Sequence, residues 1–301
     1  MELSMPIMQK YLDACQNQRK LDRKTIKAYR IDLRQFAEFM AGENTDLSRE
    51  TIKSYISYMN QKYKPRTVKR KIASIRALVT WLIDEQLLAG NPFENLHSRL
   101  PEPVILPRVI PSRVLEKMLE AAHQRLCQQP EHLFRLCETA VLEMLFATGM
   151  RVSELSGLKT RDIDLSDGVI RIFGKGKKER MIHVTNAEVL GILRKYKEMA
   201  QPERTGFFFQ NRRGGRLSEQ SVRNIVRKYG ELVDYPVRIT PHMFRHTTAT
   251  LLLEADVDIR CIQQLLGHAS IVTTQIYTNV AGAKQREIMQ NKHPRNQFSF
   301  R

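Results

Sequence analysis

Five of the chain's twelve prolines fall between residues 92 and 111, at Pro92, Pro101, Pro103, Pro107 and Pro111. Proline lacks an amide donor, fixes φ and biases the residue before it toward extended backbone. The stretch "RLPEPVILPRVIP" is therefore stiff and extended and cannot continue a helix. It divides the chain into an N-terminal domain over 1–98, a linker over 99–111 and a second domain over 112–301. A chain of 301 residues is long enough for two ordinary domains, each with its own core.

Before the linker, Ile26, Tyr29, Leu33, Phe36 and Met40 recur every three or four positions, as do Val68, Ile72, Ile75, Val79 and Leu82. That period lays apolar side chains along one helical face. Residues 25–88 read as a run of helices, with Pro65 in a first helical turn and Gly90 as a helix stop. The first domain is all-α.

After the linker, helical patterns at 112–127 and 131–148 lead to Gly149. The period then changes. In "GVIRIFGKGKKERMIHV", residues 168–184, β-branched and aromatic residues flank Gly174-Lys175-Gly176, which reads as two strands joined by a turn. Helices resume at 187–200 and 218–230, and another starts with Thr240 as N-cap and Pro241 in its first turn. "LLGH" ends a helix at Gly267, and Val272, Ile276 and Val280 form the stripe of a further short helix. The second domain is mixed α/β, mainly helical, with a small antiparallel sheet.

Lysine and arginine number 49 against 32 acidic residues, a net charge of +17, which favours a polyanionic partner. "QKYKPRTVKRKIASIR" holds seven basic residues and no acidic one: Lys62, Lys64, Arg66, Lys69, Arg70, Lys71 and Arg76. A solvated face usually mixes signs. One-sign clustering is self-repulsive and suits apposition to phosphates, so these seven are candidate nucleic-acid contacts. No apolar run reaches a membrane span and the start lacks a secretory layout, so the expected compartment is the cytoplasm, with no membrane partner. The four cysteines form no C-x-x-C pair, so neither a metal site nor a disulfide framework is expected.

Four segments carry residues suited to one phosphate group. "TGMRVSEL" places Arg151 after a glycine helix stop. Lys175 sits in the glycine-flanked turn. "HMFRH" puts His242 and Arg245 three positions apart, on one face of a helix whose first turn is expected to face outward, at its positive dipole end. His246 reads as a packing histidine. "LLGH" presents His268, and Tyr277 stands one step off the apolar stripe that follows. Singly, each has an ordinary reading: a surface arginine, a solvated lysine, a core tyrosine. Together they gather cations and a hydroxyl without a matching carboxylate cluster for a catalytic metal.

In order from Arg151 to "TTQIYT", these segments resemble the signature boxes of the tyrosine recombinase (phage integrase) family, above all its Xer-like and mobile-element integrase branches. The likeness also takes in the helical first domain and the linker. It implies a SAM-like core-binding domain ahead of a catalytic domain, and a site without cofactor or metal. It further implies Tyr277 as nucleophile, Arg151 and Arg245 as a clamp on the scissile phosphate, and Lys175 as general acid. His242 becomes an acid/base group, His268 a further phosphate donor and Glu154 a supporting residue. Implied partners are double-stranded DNA recombination sites, three more copies of the chain in a synaptic homo-tetramer, and accessory DNA-bending or directionality proteins. The C-terminal tail is either exchanged between protomers or a plain disordered tail. Met243 and the missing proline in "ERMIHV" depart from the Xer pattern; they bear on integration, excision or dimer resolution, not on the reaction. Two alternatives stand beside strand exchange: a catalytically silent DNA-binding regulator, and a type IB topoisomerase.

Overall fold

A computed structural model describes residues 3–94, 96, 107–173 and 179–267. The chain divides into two compact units, Met1–Val104 and Ile105–Arg301.

The first unit comprises helices α1 (Met5–Asn17), α2 (Arg23–Gly42), α3 (Arg49–Lys62) and α4 (Pro65–Asp84). Local chemistry sets their ends. The Asp22 side chain accepts from the Lys24 amide at 2.6 Å, and the Ser48 side chain accepts from the Thr51 amide at 3.1 Å. Both satisfy donors that a first turn leaves open. Pro65 opens α4 as expected. The helix does not run to Gly90, however. Two residues past its end Gln86 adopts φ +58°, with its amide on Ile83 O and the Leu87 amide on Leu82 O. That paired closure is a Schellman turn, built here on glutamine at a modest conformational cost. Leu33, Phe36, Met59, Val68, Leu78 and Leu82 fill the core. Each such side chain contributes about 1.5–3 kcal/mol by leaving water.

The second unit is built around α6 (Leu133–Thr148), buried on nearly every side from Leu136 to Leu145. Helix α5 (Ser112–Gln128), α8 (Ala187–Ala200), α9 (Glu219–Leu232) and α10 (Pro241–Glu254) pack against it or against each other. Between them lie the short α7 (Val152–Gly157) and a three-stranded antiparallel sheet. Its strands are β1 (Ile163–Asp164), β2 (Val169–Phe173) and β3 (Glu179–His183). Ile170 pairs with Ile182 in the ladder and both are buried, which fixes the register. The last described helix is α11 (Ile259–Leu266), packed against α10 and β3. Thr240 occupies the N-cap of α10 as expected, but its side chain makes no capping bond.

Candidate active site

Arg151 is the N-cap of α7, and its backbone amide donates to Glu154 Oε2 at 2.8 Å. Its guanidinium Nη1 donates to Glu154 Oε1 at 2.9 Å. The same carboxylate receives a fork from Arg180, Nη1 to Oε1 at 3.0 Å and Nη2 to Oε2 at 2.8 Å. Burial pushes the Glu154 carboxyl upward most strongly. The Arg180 fork, the Arg151 amide and the two guanidinium charges together outweigh it and hold the group below the ordinary carboxylate range. Glu154 thus stays ionised and orients both arginines.

Three arginines then close the end of α11. Arg180 Nε donates to Leu265 O at 2.9 Å, Arg245 Nη2 to Leu266 O at 2.6 Å, and Arg151 Nη2 to Gly267 O at 3.1 Å. The last carbonyls of a helix have no partner within it and carry its negative dipole end, so cations there are doubly favourable. Arg245 also donates through Nη1 to Gly149 O at 2.9 Å, which joins the ends of α6 and α11. Left-handed backbone favours glycine at both ends, and any side chain there would displace a neighbour. A Cβ on Gly149 would lie 2.7 Å from Leu266 Cδ2, and one on Gly267 2.9 Å from Arg180 Nη1, with φ at +57° and +66°. The cluster sets three guanidiniums against one carboxylate, which bonds only Arg151 and Arg180, so it carries surplus positive charge and suits an anion with several acceptor oxygens.

The expectation that the first turn of α10 faces outward holds for His242, which is exposed, and fails for Arg245, which is buried. The helix is held by core neighbours Phe244 and Ala249, and the guanidinium is turned inward to reach the carbonyls. Desolvation of its ring, then the charges of Arg245, Arg223 and Arg151, lower the His242 pKa. Since the residue still exposes much of its surface, the three charges are the firmer cause. At neutral pH the ring is imidazole, able to accept a proton.

His246 packs as expected. Burial, then His242 and Arg245, hold its pKa down to about 4. Because that value lies below the ordinary one of about 6.5, the unfolded chain takes up the proton first as pH falls. This group's contribution is intact above pH 6.5 and is lost progressively between there and about 4. Urea unfolding at pH 7 and pH 4.5 is expected to show His246→Gln losing about 2 kcal/mol less than the parent across that window. Parallel pH profiles for the two proteins would contradict it.

In the first unit, Lys62, Lys64, Arg66, Lys69, Arg70 and Arg76 are exposed, and Lys71 is not. Lys71 Nζ donates to the fully buried Asp32 at 3.0 Å and to Gln35, and Arg70 closes on the same carboxylate. The Lys71 ammonium is therefore a neutralising partner inside the unit rather than a surface donor. Its signal was its place in the stripe, three residues after Val68 and four before Ile75.

The structure brings together Arg151, Glu154, His242 and Arg245. Lys175, His268 and Tyr277 lie outside the described residues. Arg180 was missed by sequence reasoning; its partner Glu154 stands 26 positions earlier, beyond any local spacing rule. Among the described residues no group of His, Cys, Asp or Glu is arranged to hold a metal ion, and no helix is long and apolar enough to cross a membrane.

Fold and site together define a two-unit protein whose second unit concentrates arginines for an anionic substrate. The model of the phage integrase family matches residues 108–284, and that of the phage integrase N-terminal SAM-like domain matches residues 8–86. A tyrosine recombinase of Agathobacter rectalis is 48% identical over 296 residues, covering 96% of this chain and 97% of the relative. Among solved structures, XerH bound to palindromic difH in a post-cleavage complex aligns with a TM-score of 0.78 at 22% identity, covering 94% of this chain and 83% of that one. A lambda integrase tetramer bound to a Holliday junction aligns at 0.68 and 18%, covering 92% and 77%. The chain belongs to the phage integrase family. It is a tyrosine recombinase, a site-specific recombinase that cleaves and rejoins DNA strands.

Proposed function

We propose that this chain exchanges DNA strands through a covalent 3′-phosphotyrosine formed on Tyr277. The observation that carries the reading is the pair of arginines on consecutive carbonyls: Arg245 holds Leu266 and Arg151 holds Gly267. Both guanidiniums thus stand where the chain leads on to His268 and Tyr277. In this reading they clamp the equatorial oxygens of the scissile phosphate, and His268 adds a further donor. The Tyr277 oxygen attacks phosphorus, its proton passing to neutral His242. The bond to the sugar 5′-oxygen breaks, and Lys175 protonates that oxygen as it leaves. The phosphotyrosine keeps the bond energy, so a 5′-hydroxyl of a second strand reseals the DNA and restores the tyrosine. Glu154 supports the clamp.

Residues 1–98 serve in this reading as the core-binding domain, with Lys62, Lys64, Arg66, Lys69, Arg70 and Arg76 toward DNA phosphates. Residues 99–111 link it to the catalytic domain at 112–301. Four copies act on two duplex sites in the cytoplasm, with accessory DNA-bending or directionality proteins setting the outcome. The lambda integrase neighbour, a tetramer on a Holliday junction, supports that assembly.

The test is direct. Purified protein is incubated with sheared genomic DNA from its source, protein-linked fragments are captured under denaturing conditions, and both the DNA ends and the DNA-linked peptide are sequenced. Recurrent 3′ ends attached to the peptide containing Tyr277 are the expected result. Sequence-specific binding without adducts would point to a silent regulator, and relaxation of a two-site plasmid without recombinants to a topoisomerase.

A further inference from the structure

Arg180 is the second residue of β3, five positions after Lys175 in sequence, and its side chain is only 11% exposed. All three of its nitrogens are engaged. Nη1 and Nη2 form the fork on Glu154, and Nε reaches Leu265 O. Its Nη1, Cδ and Cζ would lie 2.9, 3.1 and 3.3 Å from a Cβ at Gly267, so a side chain there would have to push the guanidinium aside. The Arg180 guanidinium is therefore committed to protein partners rather than turned toward a substrate. Each of those partners leads to a group assigned to the reaction. Glu154 grips the amide and the guanidinium of Arg151. Leu265 and Gly267 end the helix from which the chain proceeds to His268.

We propose that Arg180 is a positioning residue for strand cleavage, locking Arg151 through Glu154 and fixing the exit of α11 through Leu265 and Gly267. This rests on the recombinase reading above. The physical reason is the planar fork. A carboxylate gripped from one side by a rigid guanidinium has one orientation left in which to hold a second arginine. Without Arg180, Glu154 would be free to rotate toward Arg151 alone, and Arg151 would follow it off the phosphate. A lysine keeps the charge but makes a single flexible contact, so charge and geometry are separable.

The experiment compares Arg180→Gln and Arg180→Lys with the parent on the duplex recovered by adduct trapping, at saturating DNA. For Arg180→Gln the adduct-forming rate is expected to fall about 100-fold, the scale of a misplaced reactive group, with DNA affinity changed less than about 3-fold. Arg180→Lys is expected to recover only part of the rate. Combining Arg180→Gln with Glu154→Gln is expected to be no slower than the slower single variant. Equal losses of affinity and rate, a full rescue by lysine, or additive defects would overturn the proposal and leave only a stabilising ion pair.

One arm needs no DNA. Hydrogen exchange of the Gly267 amide, bonded to Gln263 O at 2.9 Å, is expected to quicken at least about 10-fold in Arg180→Gln while α6 stays protected. Unchanged protection would reject the helix-exit role. A parent that never captures DNA would reject the recombinase reading instead, and this arm would still decide whether Arg180 holds α11.

Discussion

Alanine at position 245 is expected to slow covalent capture of DNA by at least about 1000-fold, the scale of a lost transition-state donor. The same change is expected to destabilise the second unit by about 2–4 kcal/mol. Two consequences converge on one side chain. The guanidinium is buried and serves as a bridge, with Nη1 on Gly149 O and Nη2 on Leu266 O. Truncation leaves both carbonyls without that donor, and an unmet buried acceptor costs about 1–3 kcal/mol. It also removes one of the cations proposed to neutralise the phosphate. Arg245→Lys separates the two effects. One ammonium cannot span both carbonyls and still present a planar edge to an oxyanion, so part of the stability should return while most of the rate does not. Urea unfolding and single-turnover adduct formation at saturating DNA are the measurements. A lysine variant within about 10-fold of the parent rate would show that charge alone suffices and would remove the clamp geometry from the mechanism.

The contrast between what local pattern reveals and what it hides has physical causes. Helices α5 and α8 are legible because one face is apolar at helical spacing and a proline or capping side chain marks an end, and α6 because its apolar run closes at Gly149. Helix α1 has the same kind of stripe, Met8, Tyr11, Leu12 and Cys15, and a reading that begins the helices at residue 25 passes it over. Strand β1 spans two residues, too short for any period, and only pairing with β2 defines it. Gly90 is a plausible stop by composition, yet the left-handed residue is Gln86, because the turn closes where the buried face of α4 ends. In the site, Arg151, Glu154, His242 and Arg245 were legible through short boxes. Arg180 was not, because its role exists only in the long-range bonds to Glu154 and Leu265.

Lys71 is the sharper case, and it leads to the second large effect. Asp32→Ala is expected to destabilise the first unit by about 3–5 kcal/mol, because it strands an ammonium where water cannot reach. Asp32 is fully buried and Lys71 is 3% exposed, so the carboxylate is the nearest neutralising charge, shared with Arg70 and with the hydroxyl of Ser74 at 3.4 Å. The pair links α2 to α4, the helix that carries four of the six exposed candidate DNA contacts, Arg66, Lys69, Arg70 and Arg76. Desolvating both ions is itself costly, so the network need not make the unit more stable than an apolar alternative. Asp32→Leu with Lys71→Met is accordingly expected to recover most of the loss. Urea unfolding of the three proteins decides the point. A loss below about 1 kcal/mol in Asp32→Ala would mean that the ammonium finds water, making Lys71 available to DNA after all. Duplex binding gives an independent reading on the folded double variant. If Lys71 is internal, the salt dependence of binding keeps its slope, whereas Arg66→Ala or Lys69→Ala should each lower that slope by about 1 if they contact phosphate.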